Sequence, residues 1–227
     1  MQALGHLLPQ PPFDLTPEKQ AAFDSLFNSS LEGHIHYQLP YPKWQFLTYL
    51  CSAREMVLHG SQDTDIQVVE PRKAMDIKAI SNQNAIYATT DGIWSNFFAI
   101  VDRKNFQPLS LFNSCLNIRV SPDDMLGPLY FFSITHSALL RQPWCDGMIY
   151  ILPRADFIQE PAQQVSGAQI IFPHWYSFKP AIPVSKLPVQ PDDFPFLSQV
   201  HDHNDKRLIE LSTANPNGFP WEAALET

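Results

Sequence analysis

The sequence predicts an α+β fold. Helical spacing of apolar residues dominates the N-terminal part. Short strand-like runs separated by turn signals dominate the remainder, and neither a repeat nor a linker divides the two.

Residues 1–15 are punctuated by proline and read as a loose arm. Thr16-Pro17-Glu18 is a helix start, with a capping hydroxyl, proline at the first helical position and an acid in the first turn. Phe23, Leu26, Phe27 and Leu31 follow at helical spacing, and Gly33 ends that helix. Pro40-Tyr41-Pro42 resets the chain before a second helix over residues 42–53, marked by Phe46, Leu47 and Leu50. Strands are expected at 56–58, 66–69, 84–89, 116–120, 129–134, 148–152, 170–172 and 175–178. Between them Thr90 or Asp91 caps a helix carrying Ile93, Trp94, Phe97, Phe98 and Val101. In residues 192–197 (DDFPFL), the two-residue spacing turns Phe194 and Phe196 to one side, toward the core. Residues 16–213 thus read as one α+β domain, and 214–227 as a turn-rich tail.

Composition bounds what such a chain does. Of 227 residues 44% are hydrophobic and only 17% charged, which supplies a sizeable core and argues against charge-driven disorder. Proline (21) outnumbers glycine (8), so many turns are set by a fixed φ. The net charge of −8 and the absence of any Lys/Arg cluster exclude an extended nucleic-acid groove, though not a pocket for one nucleotide. Cys51, Cys115 and Cys145 are widely spaced and odd in number, as free thiols in a reducing, cytoplasmic compartment would be. The N-terminal stretch lacks the basic and apolar regions of a signal peptide, and no apolar run has membrane-spanning length.

The most informative stretch is Val57-Leu58-His59-Gly60-Ser61. A short apolar strand runs into a histidine and a glycine, and glycine lets another group approach the backbone closely. A second strand carries Tyr87-Ala88-Thr89 and leads directly into the helix with Trp94. With the later series of short strands, this order resembles the ADP-ribosyltransferase fold, the group of bacterial toxins, poly(ADP-ribose) polymerases and RNA 2′-phosphotransferases. Residues 44 to 197, about two-thirds of the chain, also resemble a set of microbial proteins with the same HGS…YAT…DFPFL pattern. The resemblance implies a split antiparallel sheet with the N-terminal helices packed beside it, and NAD as substrate. It implies that His59 bonds an adenosine-side ribose hydroxyl, that the Gly60 backbone bonds the nicotinamide amide, and that Tyr87 stacks on the nicotinamide ring. Ser61 and Thr89 join the expected binding set, although Ser61 also suits a turn cap; Arg72, in Glu70-Pro71-Arg72 where the pocket loop should return, is either a phosphate partner or half of a surface ion pair. His59 and Tyr87 should then line one cleft from neighbouring strands.

The same resemblance implies a glutamate opening the strand at 174, to stabilise an oxocarbenium-like transition state. Here His174-Trp175-Tyr176-Ser177 stands instead, and an imidazole does not replace a carboxylate beside a developing cation. Either transfer is lost or altered, or Glu160 or Asp156 reaches in from the preceding loop. Three functions remain open: NAD-like nucleotide binding with ADP-ribosyl transfer, a non-catalytic binding module on the same fold, and a 2′-phosphotransferase-like enzyme. The last needs several pocket arginines, for which only Arg72, Arg119 and Arg141 are placed early enough. The motif His201-Asp202-His203-Asn204-Asp205 offers two histidines at metal-ligand spacing. Its polarity on both faces favours a solvated loop, and so does that of His34-Ile35-His36.

Overall fold

The structure, a computed structural model, describes residues 6–31, 33–73, 83–165, 167–215, 218–220 and 223. A short strand, β1 (Leu8–Pro9), precedes helix α1 (Pro17–Ser29), whose first turn is closed by the Thr16 hydroxyl accepting from the Lys19 amide. β2 (Gly33–His34) leads to α2 (Lys43–Ala53), then β3 (Met56–Ser61), β4 (Arg72–Lys73) and β5 (Asn84–Thr89). Helix α3 (Gly92–Ile100) follows, then the long hairpin β6 (Leu111–Ser121) and β7 (Asp124–Thr135), one helical turn α4 (His136–Leu139), and β8 (Gly147–Pro153). The remainder comprises β9 (Ile158–Gln159), β10 (Gln163–Val165), β11 (Ala168–Ile171), β12 (His174–Ser177), β13 (Ser185–Val189), β14 (His201–His203) and α5 (Asp205–Ala214).

The architecture is α+β, with two mostly antiparallel sheets. The larger runs β2-β13-β8-β3-β5-β12-β9, with β4 beside β5; the smaller runs β1-β7-β6-β11-β10, with β14 beside β7. The main core lies between the sheets and gathers α1, α2 and α3 around Leu58, Ile149 and Ile151 of one sheet and Tyr130, Phe132 and Ile134 of the other. A second core covers the outer face of the larger sheet, with Val57, Ile86, Ala88, Tyr150, Leu152 and Phe157. Burial of these side chains away from water is the main term holding the sheets together. Phe194 and Phe196 are buried in the main core, as the spacing predicts, at 2% and 5% exposure. They are flanked by 3-10 turns at Pro191–Asp193 and Leu197–Gln199.

Several segments differ from the sequence reading. The arm is docked: Leu8 pairs with Tyr130, and Phe13 meets Trp44 edge-on. Helix α1 ends at Ser29, Leu31 is 52% exposed, and Gly33 opens β2 instead of ending the helix. Residues 66–69 form no strand; Val69 makes only an isolated bridge to Ala181. Residues 201–203 are a strand beside β7, not a solvated loop, and His203 is fully buried. Its ring nitrogens reach the Ser133 hydroxyl of β7 (2.7 Å) and the Ser110 hydroxyl just before β6 (2.8 Å), partners far away in sequence that satisfy a buried imidazole. From the tail, Phe219 packs on Phe112 and Phe131. No helix among the described residues is long and apolar enough to cross a membrane.

Candidate functional site

The two motif strands meet at one point. β3 pairs with β8 along its whole length, from Met56–Pro153 to Ser61–Met148, but with β5 only through Leu58 and Thr89. Where β3 and β5 part, a side chain bridges the gap: His59 Nδ1 lies 2.8 Å from the Tyr87 carbonyl oxygen. A carbonyl only accepts, so Nδ1 donates; Nε2 of the neutral ring is left as an acceptor. Burial favours that neutral form and holds the His59 pKa below its ordinary value, against the pull of the Tyr87 carbonyl, and the Arg103 and Arg72 charges push the same way as burial.

Strand alternation decides which face each motif residue serves. His59 leaves β3 on the face of its partner Tyr150, whose ring is 6.5 Å away in the outer core. Leu58 and Thr89 share the opposite, inner face, and Tyr87, two residues from Thr89, projects there too. The expectation that the His59 and Tyr87 side chains line one cleft is therefore not met. They are joined through the Tyr87 main chain, and their rings point to opposite faces. Gly60 faces inward, but the space at its α-carbon is taken by α3: a β-carbon there would lie 2.3 Å from the Ser95 carbonyl oxygen. The glycine is explained by this helix–strand contact. The Ser61 hydroxyl accepts from the Asp63 amide and closes a turn. Thr89 is buried, with its hydroxyl donating to the Pro173 carbonyl (2.7 Å) and accepting from the Asp91 amide. Arg72 is exposed on β4 opposite Ala85.

What does converge is on the inner face, around His174. β12 pairs with β5 so that His174 stands opposite Thr89 and Tyr176 opposite Tyr87. The His174 ring stacks on Tyr87, centroids 5.4 Å apart and planes 14° from parallel. The Trp94 ring, in the first turn of α3, lies 5.8 Å from the imidazole and tilted 60° to it. Its amide is capped by the Asp91 carboxylate, and its indole nitrogen donates to Asn113 of β6 (2.6 Å), so both ends of the residue are fixed. Glu160 completes the group: its amide donates to the His174 carbonyl, and its carboxylate accepts from His174 Nδ1 at 2.7 Å. The carboxylate side chain is only 6% exposed and the imidazole 15%. His174 Nε2 makes no hydrogen bond among the described residues.

Sequence reasoning named Tyr87, Thr89, His174 and the reach of Glu160. It placed Trp94 in the helix after the Tyr87 strand without assigning it to the site, and it missed Asn113. Asp156, the other carboxylate considered, instead accepts from Lys179 at the surface. Among the described residues no group of three histidine, cysteine or acidic side chains is placed to hold a metal ion. Comparison with family models, curated protein sequences and solved structures returned no match.

Proposed function

We propose that this protein binds a nucleotide of NAD type against the Tyr87–His174 stack, as a binding module on an ADP-ribosyltransferase-like fold. The observation that carries the reading is that stack, backed by a buried carboxylate. An aromatic face suits a flat base. With Nδ1 committed to Glu160, Nε2 is the ring atom left to hydrogen-bond a ligand. The inner-face aromatics fit the resemblance drawn from the sequence; the outward face of His59 does not, and it tells against the transferase chemistry that the resemblance implies.

Two facts favour binding over transfer. The Glu160 carboxylate is engaged by His174, and His59, the expected ribose partner, leaves its strand on the other face. A second reading is transfer with Glu160 as the acid, and one observation favours it: this carboxylate is buried and held on the same side as Tyr87. Neither Arg119, which bonds Gln169, nor Arg141, which lies over Phe106, joins this face as a phosphotransferase would need.

Calorimetry with millimolar NAD and an assay of nicotinamide release separate the readings. Wild type should bind NAD and release no nicotinamide, Tyr87→Ala should weaken binding, and His174→Glu should raise release. Release by wild type that Glu160→Gln abolishes would establish the transferase reading instead. No binding by wild type would overturn both.

A further inference from the structure

We infer that Lys186 and His34, on the outer face of the larger sheet, form a binding site for a small oxyanion, a phosphate or a carboxylate. The site is independent of the nucleotide reading and lies on the face opposite the Tyr87–His174 stack.

The motivating observation is a lysine without a counter-charge. Lys186 is only 9% exposed, yet its ammonium makes no hydrogen bond or ion pair among the described residues. It rests over the Tyr150 ring, 5.6 Å from the centroid. A lysine this covered is normally paired, and an aromatic face offsets only part of the cost of taking the charge out of water. The nitrogen is still reachable. Among the described residues, the side-chain polar atoms sealed from solvent without a partner belong to Asn96 and Trp175, not to Lys186.

Strand pairing supplies the second group. In β13, Leu187 and Val189 enter the main core, so Lys186 takes the other face, with its β8 partner Tyr150. On the other side Lys186 stands beside His34 of β2, one strand spacing of about 4.8 Å away. Ile35 enters the main core, which turns His34 outward as well. The His34 ring is exposed and makes no hydrogen bond among the described residues. An ammonium and an imidazole thus rise side by side from adjacent strands, with the Tyr150 ring as a third wall. Both offer N–H donors, the ammonium repels a cation, and an oxyanion accepts from both at once. Two acids near Tyr150 do not fill this role. Asp63 and Asp65 act on its phenol, but their carboxylates accept from the Asp65 amide and the Gln67 side chain, and neither pairs with Lys186. The net charge of −8 weakens the long-range pull on an anion, so the site should be of millimolar affinity.

The test titrates the protein with sodium phosphate and with sodium acetate, at an ionic strength held constant with sodium chloride, and follows the backbone amide signals of Gly33, His34 and Lys186 by NMR. Wild type should show saturable shifts with a dissociation constant of about 1–10 mM for at least one oxyanion. Saturation by phosphate alone marks a phosphoryl ligand, and by acetate alone a carboxylate. Lys186→Met should weaken binding about tenfold or more, and His34→Ala, at an exposed position that the fold does not depend on, about threefold. Tyr87→Ala should bind the oxyanion as wild type does, since the nucleotide stack takes no part. Shifts that never saturate in wild type, equal shifts from chloride, or wild-type affinity in either Lys186→Met or His34→Ala would overturn the site.

Discussion

Gly60 shows at the scale of one residue how a motif acquires a packing role. Its α-carbon lies so close to α3 that an added methyl group would meet the Ser95 carbonyl at 2.3 Å and the Ala99 amide nitrogen at 3.0 Å, backbone atoms that move only if the helix moves. Gly60→Ala should therefore destabilise the protein by about 2 kcal/mol or more, an overpacking cost. Urea unfolding checks this through a lower midpoint at unchanged slope. The folded fraction should still bind NAD, since the Tyr87–His174 stack does not use Gly60. In the sequence the glycine of His-Gly-Ser carries two meanings, close approach of a ligand or of a helix, and composition does not separate them. The register of β3 against α3 does.

At the scale of elements, α3 is held at its N-terminus by one carboxylate. Asp91 accepts from the Trp94 amide (2.7 Å) and from the Tyr130 hydroxyl (2.7 Å), tying the helix to β7 of the other sheet. Burial raises its pKa, and the Tyr130 and amide hydrogen bonds oppose the rise. Asp91→Ala removes the cap and takes from the buried Tyr130 hydroxyl its carboxylate partner. The expected cost is about 2–4 kcal/mol, read from urea midpoints, with loss of the Trp94 contact to His174. That cap was legible as Asp91 beside Thr90, as were α1, α2 and the central strands, because capping residues and apolar spacing are local signals. The two-residue strands β1, β2, β4 and β9 were not legible, because pairing makes them rather than propensity. Nor was α5: the polar run before it looks solvated until Ser110, Ser133 and Thr135 arrive from elsewhere to satisfy His203 and Asp205. For the site, the residue types were visible and the faces were not, since the face of His59 depends on its pairing with β8.

The whole molecule holds three histidines whose pKa burial lowers: His59, His201 and His203. Asp205 and Asp202 pull His203 the other way, and His201 lies stacked on Phe131. Each of these rings is favoured neutral in the folded state, so the folded chain takes up its protons at lower pH than the unfolded chain does. Stability is then fully present above the unfolded value of about 6.5 and is lost as pH falls through the lower folded values. Asp91, with its raised pKa, works against that loss. Urea midpoints should fall steadily from about pH 7 to about pH 5, and His203→Gln should lower the starting stability but flatten that slope. An unchanged slope in the variant would show that the loss resides in other groups. The same buried corner has a consequence for synthesis. The outer edge of β7 is covered in two pieces, by Leu8 and Pro9 against Tyr130 and Leu129, and by residues 201–203 against 133–135. The first piece leaves the ribosome before β7 does, and the second long after it. A nascent chain thus carries one half of a strand edge already sheltered and the other half open to pairing with a neighbouring chain, and the pace of translation from residue 135 to residue 203 sets how long it stays open.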